Sequence, residues 1–564
     1  MTSYFNLFLK RRSLTPELID EYNNPSCDLL RDIDTMAHQL HVLYQQQSKI
    51  VVLPDFDTDG IMSAVVGVAG LAELGFNVGL HLPIPSNGYG FGEEDIDCIL
   101  QMHPNVHTII TCDVGITALS AIDYAQSKGL QVLVTDHHKQ LDSDNMHAEI
   151  IVDPMRLDEQ YNHPEICGAF VFWQVLYYYA SVYQSDKCTA LYQLRLFAGI
   201  GTISDMMPLR YENRQLVKDS LVICQQLFVH QIPAGQSTFY TNAFRGFYEL
   251  VQFLKDQKKV QEVDDITSEF YGFTIAPLFN SLKRMNGDMM NAFGLFFDPQ
   301  SSTLYAEKLV LLNEKRKELV KKYARDLRDS EQPFVPFLYL SDAPGGILGL
   351  LAQGIMMESH LPVVVLNSET LHGSGRSPAW YLFNTRANEN GFYVAGHEGA
   401  FGSAVHSLDE AKAFYTFLSY DVPQVYREAE EIALSSGQQS LMEDPFDLYI
   451  STYDSTADDT LSPQKLKEFI EQIEVLAPFG KGWEKPMVRL TFTSDDVTIQ
   501  LLGKKKNHLK FSFPNGLAIL MWNSAEQFGA FQNAKTFSVV GSLSINEFRG
   551  NQTVTMMSNV VIDS

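Results

Sequence analysis

Three carboxylates, Asp55, Asp57 and Asp59, follow directly after the apolar stretch 50–53 and Pro54. The apolar residues are mostly β-branched, which is typical of a buried strand. Three negative charges this close repel one another and raise one another's pKa. A divalent cation is the simplest way to balance them, so the motif predicts a metal site at the end of a strand.

Other ionisable residues also follow strand-like stretches. Residues 107–112 lead into Asp113, residues 130–135 into Asp136, His137 and His138, and residues 149–152 into Asp153. Helical stretches separate these strands, and this alternation predicts a mostly parallel sheet. Ligands of such sheets bind beyond the carboxyl ends of the strands, where these side chains would gather.

An aspartate after a strand is often only a helix cap or a turn former. That interpretation is favoured for Asp153, which precedes Pro154. Capping does not account for the three alternating carboxylates together with Asp136 and its two neighbouring imidazoles. Carboxylate-rich ligation with one or two imidazoles and no thiolate suits Mn²⁺ or Mg²⁺ better than a structural zinc.

The length and composition indicate the class of protein in which these motifs occur. The 564 residues exceed what one hydrophobic core can organise and predict three or four domains, and 45 % hydrophobic content is typical of well-packed globular proteins. The net charge of −26 argues against loose binding to nucleic acid or anionic membranes, but it is compatible with a local basic groove. Six scattered cysteines indicate a reducing compartment. Since no apolar stretch is long enough to span a bilayer and the N-terminus has no signal-peptide pattern, we expect a soluble cytoplasmic protein.

Four motifs resemble those of the DHH phosphoesterase superfamily, and within it the sequence is most similar to the RecJ family of single-strand-specific exonucleases over nearly the whole chain. The motifs lie at residues 55–60, 113–115, 136–138 and 201–209. The resemblance implies two divalent cations, Mn²⁺ in preference to Mg²⁺, with the ligands Asp55, Asp57, Asp59, Asp113, His137 and Asp205. It further implies that Asp113 bridges the cations, that His138 contacts the scissile phosphate or assists the leaving oxygen, and that Asp136 holds a neighbouring imidazole.

Later segments resemble the substrate-binding parts of the same family. Asn280 and Arg284 resemble residues that contact the nucleic-acid backbone, and Gly346 belongs to a glycine-rich helix start whose N–H groups suit a phosphate. Residues 373–377, with Ser374, Arg376 and Ser377, and residues 395–402, with His397, resemble the two signatures of the DHH-associated domain. The resemblance implies that Arg376 holds a phosphate bidentately and that His397 sits beside the metals. The second signature departs from the common form at Ala395 and Phe401.

The C-terminal half combines a long helix with short strands. Residues 303–328 predict one amphipathic helix, whose charged face is either a solvated spacer or, at Lys315, Arg316, Lys317, Lys321 and Lys322, the border of a nucleic-acid channel. Alternating strands from residue 488 onwards predict a small β-barrel, and the segment resembles the oligonucleotide-binding (OB) fold of the RecJ family. Lys504, Lys505 and Lys506, near Trp522, would neutralise phosphates while aromatic rings stack on bases; the alternative is a lysine-rich hairpin tip.

We therefore predict an α/β multidomain protein: a parallel-sheet DHH domain at 1–220, a helical connector at 221–330, a DHH-associated (DHHA1-like) domain at 331–440 and an OB-fold barrel at 441–564. The predicted function is metal-dependent hydrolysis of single-stranded DNA in repair and recombination, with 5′-to-3′ polarity taken from the resemblance alone. Alternatives are a phosphodiesterase for short RNAs or cyclic dinucleotides, a pyrophosphatase, or a non-catalytic replication scaffold. The expected partner is single-stranded DNA, with a single-strand-binding protein or helicase as a further candidate, and we expect a monomer without membrane association.

Overall fold

The computed structural model describes most of the chain as two compact units. One unit consists of residues 22–427 and 480–482, and the other of residues 1–21, 428–479 and 483–564. The described residues are 4–25, 28–84, 90–140, 147–436, 439–442, 445–503, 506–514, 516–522, 524–548, 551–557 and 560–562.

The N-terminal helices are α1 (Tyr4–Arg11) and α2 (Pro16–Asn23). Tyr4 and Phe8 are buried and place their rings edge-on against Phe469. Arg11 and Arg12 form ion pairs of 2.7 and 2.6 Å with Asp458 and Asp447. Residues 1–21, which the sequence prediction included in the catalytic domain, therefore pack in the same unit as the C-terminal part of the chain.

A five-stranded sheet of order β2-β1-β3-β4-β5 forms the centre of the larger unit, and every neighbouring pair is parallel. This confirms the parallel sheet predicted from the alternating pattern. Residues 50–53 of β1 are fully buried, because helices cover both faces of the sheet. The elements are α3 (Ile33–Gln45), β1 (Lys49–Pro54), α4 (Thr58–Glu73), β2 (Asn77–Leu80), α5 (Glu93–Met102), β3 (Val106–Cys112), α6 (Leu119–Ser127), β4 (Gln131–Thr135) and β5 (Ile150–Val152).

Helices follow this sheet up to residue 329. Close packing joins α4 to the first of them, since a Cβ at Gly67 would lie 2.2 Å from the ring of Phe172. The long helix predicted at 303–328 is present as the last one. The helices are α7 (Gly168–Tyr183), α8 (Cys188–Gln193), α9 (Arg195–Ser204), α10 (Tyr211–Phe228), α11 (Thr238–Asp256), α12 (Ser268–Phe270), a π-helical turn (Tyr271–Ile275), α13 (Ala276–Arg284), α14 (Met290–Phe297) and α15 (Ser302–Asp329).

A second five-stranded sheet, of order β6-β7-β8-β10-β9, has only its first pair parallel. The glycine-rich segment at 345–349 begins a helix between the parallel strands, as predicted. The elements are β6 (Leu338–Ser341), α16 (Gly345–Ser359), β7 (Val363–Asn367), β8 (His372–Arg376), α17 (Phe383–Glu389), β9 (Tyr393–His397), β10 (Ala400–Ala404) and α18 (Leu408–Ser435).

The C-terminal unit contains a nine-stranded sheet built around the 13-residue strand β17. Its core includes Phe492, Phe511 and Phe537, with the Phe492 and Phe537 ring centres 5.2 Å apart. The elements are β11 (Leu448–Ser451), β12 (Asp459–Thr460), α19 (Pro463–Glu474), β13 (Val488–Thr493), β14 (Thr498–Leu502), β15 (His508–Ser512), β16 (Leu517–Met521), α20 (Phe528–Asn533), β17 (Thr536–Phe548), β18 (Asn551–Met557) and β19 (Val560–Ile562).

No helix within the described part of the chain combines the length and the apolar character needed to cross a membrane.

Candidate metal centre

The ionisable residues predicted to converge lie at one edge of the first sheet. The loop from β1 to α4 supplies Asp55 and Asp57, the first turn of α4 supplies Asp59, and Asp113 follows β3. The residues after β4 supply the carboxylate and two imidazoles of residues 136–138, and Asp205 follows the last turn of α9. Three parallel strands thus end where a ligand site is expected.

His137 lies at the centre of this group. Its Nε2 is 3.0 Å from Asp113 Oδ1, 3.6 Å from Asp205 Oδ2 and 3.8 Å from Asp59 Oδ2. Three sets of residues each place their ligand atoms within 4.8 Å of one another: Asp113 with His137 and His138, Asp59 with His137 and Asp205, and Asp55 with Asp57 and Asp113. Because Asp113 and His137 are each shared by two sets, the geometry favours adjacent cations over a single one.

Positive charge on the described residues balances these carboxylates only in part. Asp55 is 1 % exposed, and neither of its oxygens accepts a hydrogen bond from the described residues. Burial, with the negative charge of Asp57, raises the pKa of Asp55 to about 7. Burial likewise raises the pKa of Asp205 to about 8 and that of Asp113 well above its usual range. A bare carboxylate is costly in such a place, and a divalent cation bound there would remove the cost.

Helix α7 fixes the orientation of Asp59. The backbone N–H groups of Gly168 and Ala169 donate to Asp59 Oδ2 and Oδ1 at 2.7 and 3.3 Å, at the positive end of the helix dipole. A Cβ at Gly168 would lie 2.7 Å from Asp113 Oδ1, and one at Gly201 would lie 2.2 Å from Asp59 Oδ1. Both glycines therefore leave room for the carboxylates.

Asp57 both caps a helix and faces the site. Its Oδ1 accepts from the N–H groups of Asp59 and Gly60 at 2.9 and 3.2 Å, so it is the N-cap of α4. Capping thus accounts for one of the three alternating carboxylates, and the same carboxylate also groups with Asp55 and Asp113. Asx-type capping and metal ligation use different oxygens of a carboxylate and are compatible.

Asp113 has a left-handed backbone, with φ of 62°. This conformation is uncommon for residues other than glycine and costs free energy, although aspartate tolerates it better than most. The N–H of Asp113 donates to Thr135 O at 2.9 Å, which extends the pairing of β3 and β4 by one residue. The backbone then turns and carries the carboxylate to the ligand group.

Asp136 orients the second imidazole. Its Oδ1 pairs with His138 Nδ1 at 2.8 Å, and its Oδ2 accepts from the N–H of Ile116 at 2.9 Å. Burial alone would lower the pKa of His138, but the hydrogen bond and charge of Asp136 raise it to about 9. Burial lowers the pKa of His137, which favours the neutral imidazole that binds metals.

Comparisons with known proteins agree with this geometry. A family model described as "DHH family, N-terminal domain" matches residues 49–200, and one described as "RecJ OB domain" matches residues 457–559. The single-stranded-DNA-specific exonuclease RecJ of Haemophilus influenzae is 25 % identical, over 94 % of this chain and 91 % of the relative. The protein of the same name from Bacillus subtilis is 24 % identical, over 94 % of this chain and 63 % of the relative.

The chain is thus similar to RecJ over nearly its whole length. The crystal structure of Thermus thermophilus RecJ in complex with Mn²⁺ superimposes with a TM-score of 0.70 at 22 % identity, covering 100 % of this chain and 76 % of that one. A second structure of that protein, in complex with Mg²⁺, gives a TM-score of 0.67 at 20 % identity and covers 75 % of its chain. At these identities the superpositions show that the fold is shared.

Three predicted substrate residues lie close to the metal loop or to α16. Asn280 Oδ1 accepts from the N–H of Thr58 at 3.2 Å, in the first turn of α4. A Cβ at Gly346 would lie 2.2 Å from the carbonyl oxygen of Arg284, and one at Gly349 would lie 2.9 Å from Arg376 Nη2. The backbone of Arg284 and the guanidinium of Arg376 therefore lie against the first turns of α16, where a helix N-terminus attracts anions.

Sequence reasoning missed how Arg316 and Lys283 contribute. Burial, with the positive charges of Arg316 and Arg376, lowers the pKa of Arg284 to about 10, so the three guanidinium groups lie close together. Lys283 Nζ lies 4.2 Å from the ring centre of Phe56, and its charge opposes the rise in the pKa of Asp55. The sequence feature that could have identified Lys283 as part of the site is its position next to Arg284. Helix α15 carries many basic residues, and nothing in its sequence pattern distinguishes Arg316 from the others.

Asp153 was interpreted as a turn former, and it does accept from the N–H of Met155 at 2.6 Å. It is also fully buried, and its Oδ2 accepts no hydrogen bond from the described residues. Burial, with the charge of Asp136, raises its pKa to about 8. The residue is therefore close to the metal centre, which its sequence context did not indicate.

The remaining predicted site residues lie elsewhere. His397 is exposed at the end of β9 and belongs to none of the metal-binding sets formed by the described residues, so its place beside the metals stays a prediction. Ser377 is buried and donates to Tyr381 O at 2.9 Å, while Ser374 is half-buried in β8. Lys506 is exposed, and Lys504 and Lys505 lie outside the described residues.

The unusual Phe401 has a packing role. Its ring stacks on Phe383 with a centre-to-centre distance of 4.2 Å. A Cβ at Gly375 would lie 2.1 Å from the Phe401 ring, so the glycine next to Arg376 makes room for it. The departure from the family signature is thereby accommodated within the second sheet.

Proposed function

We propose that this protein is a divalent-metal-dependent exonuclease that hydrolyses phosphodiester bonds of single-stranded DNA from 5′ to 3′. The observation that carries the proposal is the set of buried carboxylates around Asp113 and His137, several of whose oxygens have no partner among the described residues. The relatives that match most of the chain are named single-stranded-DNA-specific exonucleases. The matched RecJ OB domain supports a nucleic-acid strand as the substrate.

The proposed ligands of two cations, Mn²⁺ or Mg²⁺, are Asp55, Asp57, Asp59, Asp113, His137 and Asp205. Bound there, the cations would activate a water molecule and neutralise charge on the phosphoryl group. His138 is protonated below its pKa of about 9 and is oriented by Asp136, so it is suited to donate to a phosphate oxygen or to the leaving oxygen. Arg284 and Arg376 would hold a second phosphate at the start of α16.

The proposed division of labour follows the predicted domains. The DHH domain would cleave, the DHH-associated domain would bind the phosphate and the OB domain would hold the strand. All proposed ligands and both arginines lie between residues 22 and 427, within one compact unit, so a single copy supplies the whole set. We therefore propose a monomer as the active form.

The test is digestion of oligonucleotides labelled at either the 5′ or the 3′ end, single-stranded or double-stranded. The chelator-treated protein should be inactive, and adding Mn²⁺ or Mg²⁺ should restore stepwise release of nucleotides from the 5′ end of the single strand. Comparable turnover of a dinucleotide and a long 5′-phosphorylated strand would instead favour the phosphodiesterase for small substrates. Cleavage that persists in chelator would contradict the metal mechanism.

A further inference from the structure

Phe273 is a large aromatic side chain left in solvent by a tightly anchored turn. It is 78 % exposed, whereas Phe270, Tyr271 and Ile275 on the same turn are buried. The Tyr271 hydroxyl donates to Ser220 O at 3.0 Å, which fixes the turn to the core. No ring–ring contact joins Phe273 to another of the described residues. The fold thus holds an apolar ring outward on a rigid support.

The backbone at this point is π-helical, with the N–H of Ala276 donating to Tyr271 O. A π-helical turn is rare in proteins and is frequently found at functional sites. The turn lies against the end of α9, since a Cβ at Gly272 would lie 3.5 Å from Ile203 Cγ2, two residues before Asp205. Three residues after Phe273, Ala276 O accepts from the Thr58 hydroxyl at 3.1 Å.

The solvent-facing side of this helical segment forms a stripe of residues 273, 277, 280 and 284. Phe273 is exposed, and Pro277, Asn280 and Arg284 are half-buried, while the residues between Pro277 and Asn280 are buried. Asn280 contacts the metal loop and Arg284 contacts the start of α16. At about 1.5 Å per residue, Phe273 is about 10 Å from Asn280 along the helix, on the side away from the arginines. That spacing corresponds to one or two nucleotides of an extended strand.

We infer that Phe273 is a base-stacking residue for the strand that the metal centre cleaves. This inference rests on the proposed function and adds a substrate contact to it. With a phosphate at Arg284 and Arg376 and the scissile bond at the metal loop, Phe273 stacks on a base on the far side of that bond, in the strand that is retained. Stacking on one face of a base tolerates any sequence but requires an unpaired base, so the contact selects single strands.

The experiment measures kcat/KM in Mn²⁺ for the wild type, Phe273→Ala and Phe273→Trp. The substrates are a 5′-phosphorylated single-stranded oligonucleotide and four copies of it, each with one abasic nucleotide at one of the first four positions. Phe273→Ala should lower kcat/KM on the intact strand about tenfold, and Phe273→Trp should restore it. At one abasic position the kcat/KM of the wild type should fall by the same factor relative to the intact strand. The kcat/KM of Phe273→Ala should not fall further on that abasic strand. Tyr420→Ala, an 81 % exposed aromatic on α18, is the control and should match the wild type on every substrate.

The outcomes separate this inference from the proposed function. Suppose that the wild type cleaves the intact strand. Stacking by Phe273 is then wrong if Phe273→Ala has the same kcat/KM as the wild type, or if at every abasic position the losses in kcat/KM from the mutation and from the abasic nucleotide multiply. In either case the exonuclease proposal stands. If the wild type cleaves no single strand with Mn²⁺ or Mg²⁺, both are wrong. Unchanged thermal unfolding of Phe273→Ala shows that its loss of activity does not come from misfolding.

Discussion

The two sheets of the larger unit lie beside sites of opposite charge. At the strand ends of the first sheet, Asp55 and Asp113 are buried with raised pKa values, and the half-buried Asp205 beside them has a raised pKa as well. Beside the second sheet, Arg284 and Arg376 are half-buried with lowered pKa values. In each place burial disfavours the charged form, and no opposite charge among the described residues offsets it fully. The first site therefore requires a cation and the second an anion, and a phosphodiester with its metal ions supplies both.

The largest expected effect comes from removing the carboxylate that two metal-binding sets share. Asp113→Asn should lower cleavage of single-stranded DNA in Mn²⁺ by roughly a thousandfold or more, because the neutral amide cannot balance the cations. Asparagine also accepts the left-handed backbone at this position, so the variant should fold. The measurement is the initial rate of nucleotide release, together with binding of the same strand, which should persist.

Asp123→Asn is the matched control, since Asp123 is 56 % exposed and pairs with His147 on the surface. It should leave the rate unchanged. Activity of Asp113→Asn within tenfold of the wild type would show that the carboxylate cluster is not the catalytic centre.

The second effect concerns the free energy of unfolding of the metal-free protein. Asp55 titrates near its ordinary 3.8 in the unfolded chain and near 7 in the folded one, so between these values the folded state binds more protons. Stability in chelator should therefore fall as the pH rises from about 4 to about 7 and then level off. Asp55→Asn should remove part of this decline and stabilise the metal-free protein at pH 8 by about 1–3 kcal/mol.

Chemical denaturation with and without Mn²⁺ measures this effect. Mn²⁺ should stabilise the wild type more than Asp55→Asn, because the ionised carboxylate binds the cation. A metal-free wild type whose stability rises between pH 4 and pH 7 would mean that these carboxylates are already balanced within the protein.

The third effect tests the cationic site. Arg376→Ala should lower kcat/KM on a 5′-phosphorylated strand by about 10- to 100-fold, and Arg376→Lys should recover only part of it, because lysine cannot bind a phosphate bidentately. The loss should be smaller on a strand with a 5′-hydroxyl. Arg328→Ala, which removes an exposed guanidinium 3.5 Å from Glu358, should have no effect. Equal losses of kcat/KM on the 5′-phosphorylated and 5′-hydroxyl strands would show that Arg376 does not bind the terminal phosphate.

The contrast between the two sites also explains what sequence could predict. The positions of Asp55, Asp113 and Asp136 at strand ends could be predicted from the sequence, because apolar stretches indicate strands and the carboxyl ends of parallel strands lie at the same edge of a sheet. The proximity of Arg316 to Arg284 could not be predicted from the sequence, since it depends on how α15 packs against α13. The same holds for residues 1–21, whose partners Asp447 and Asp458 are more than 400 residues away. The position of His397 beside the metals stays a prediction, because a motif alone does not specify where the end of its strand lies.

The smallest effect concerns the hydrogen bond between Asp136 and His138. Asp136→Asn removes the charge that raises the pKa of His138, so the imidazole should lose its proton at lower pH. If His138 acts in its protonated form, the alkaline limb of the kcat/KM profile should move down by about 1–2 pH units, with a modest loss at neutral pH. In a His138→Gln background the same change at Asp136 should leave the profile unmoved. A shift that persists without His138 would assign the alkaline limb to another group, and Asp136 would then act on the metal centre through its neighbour His137.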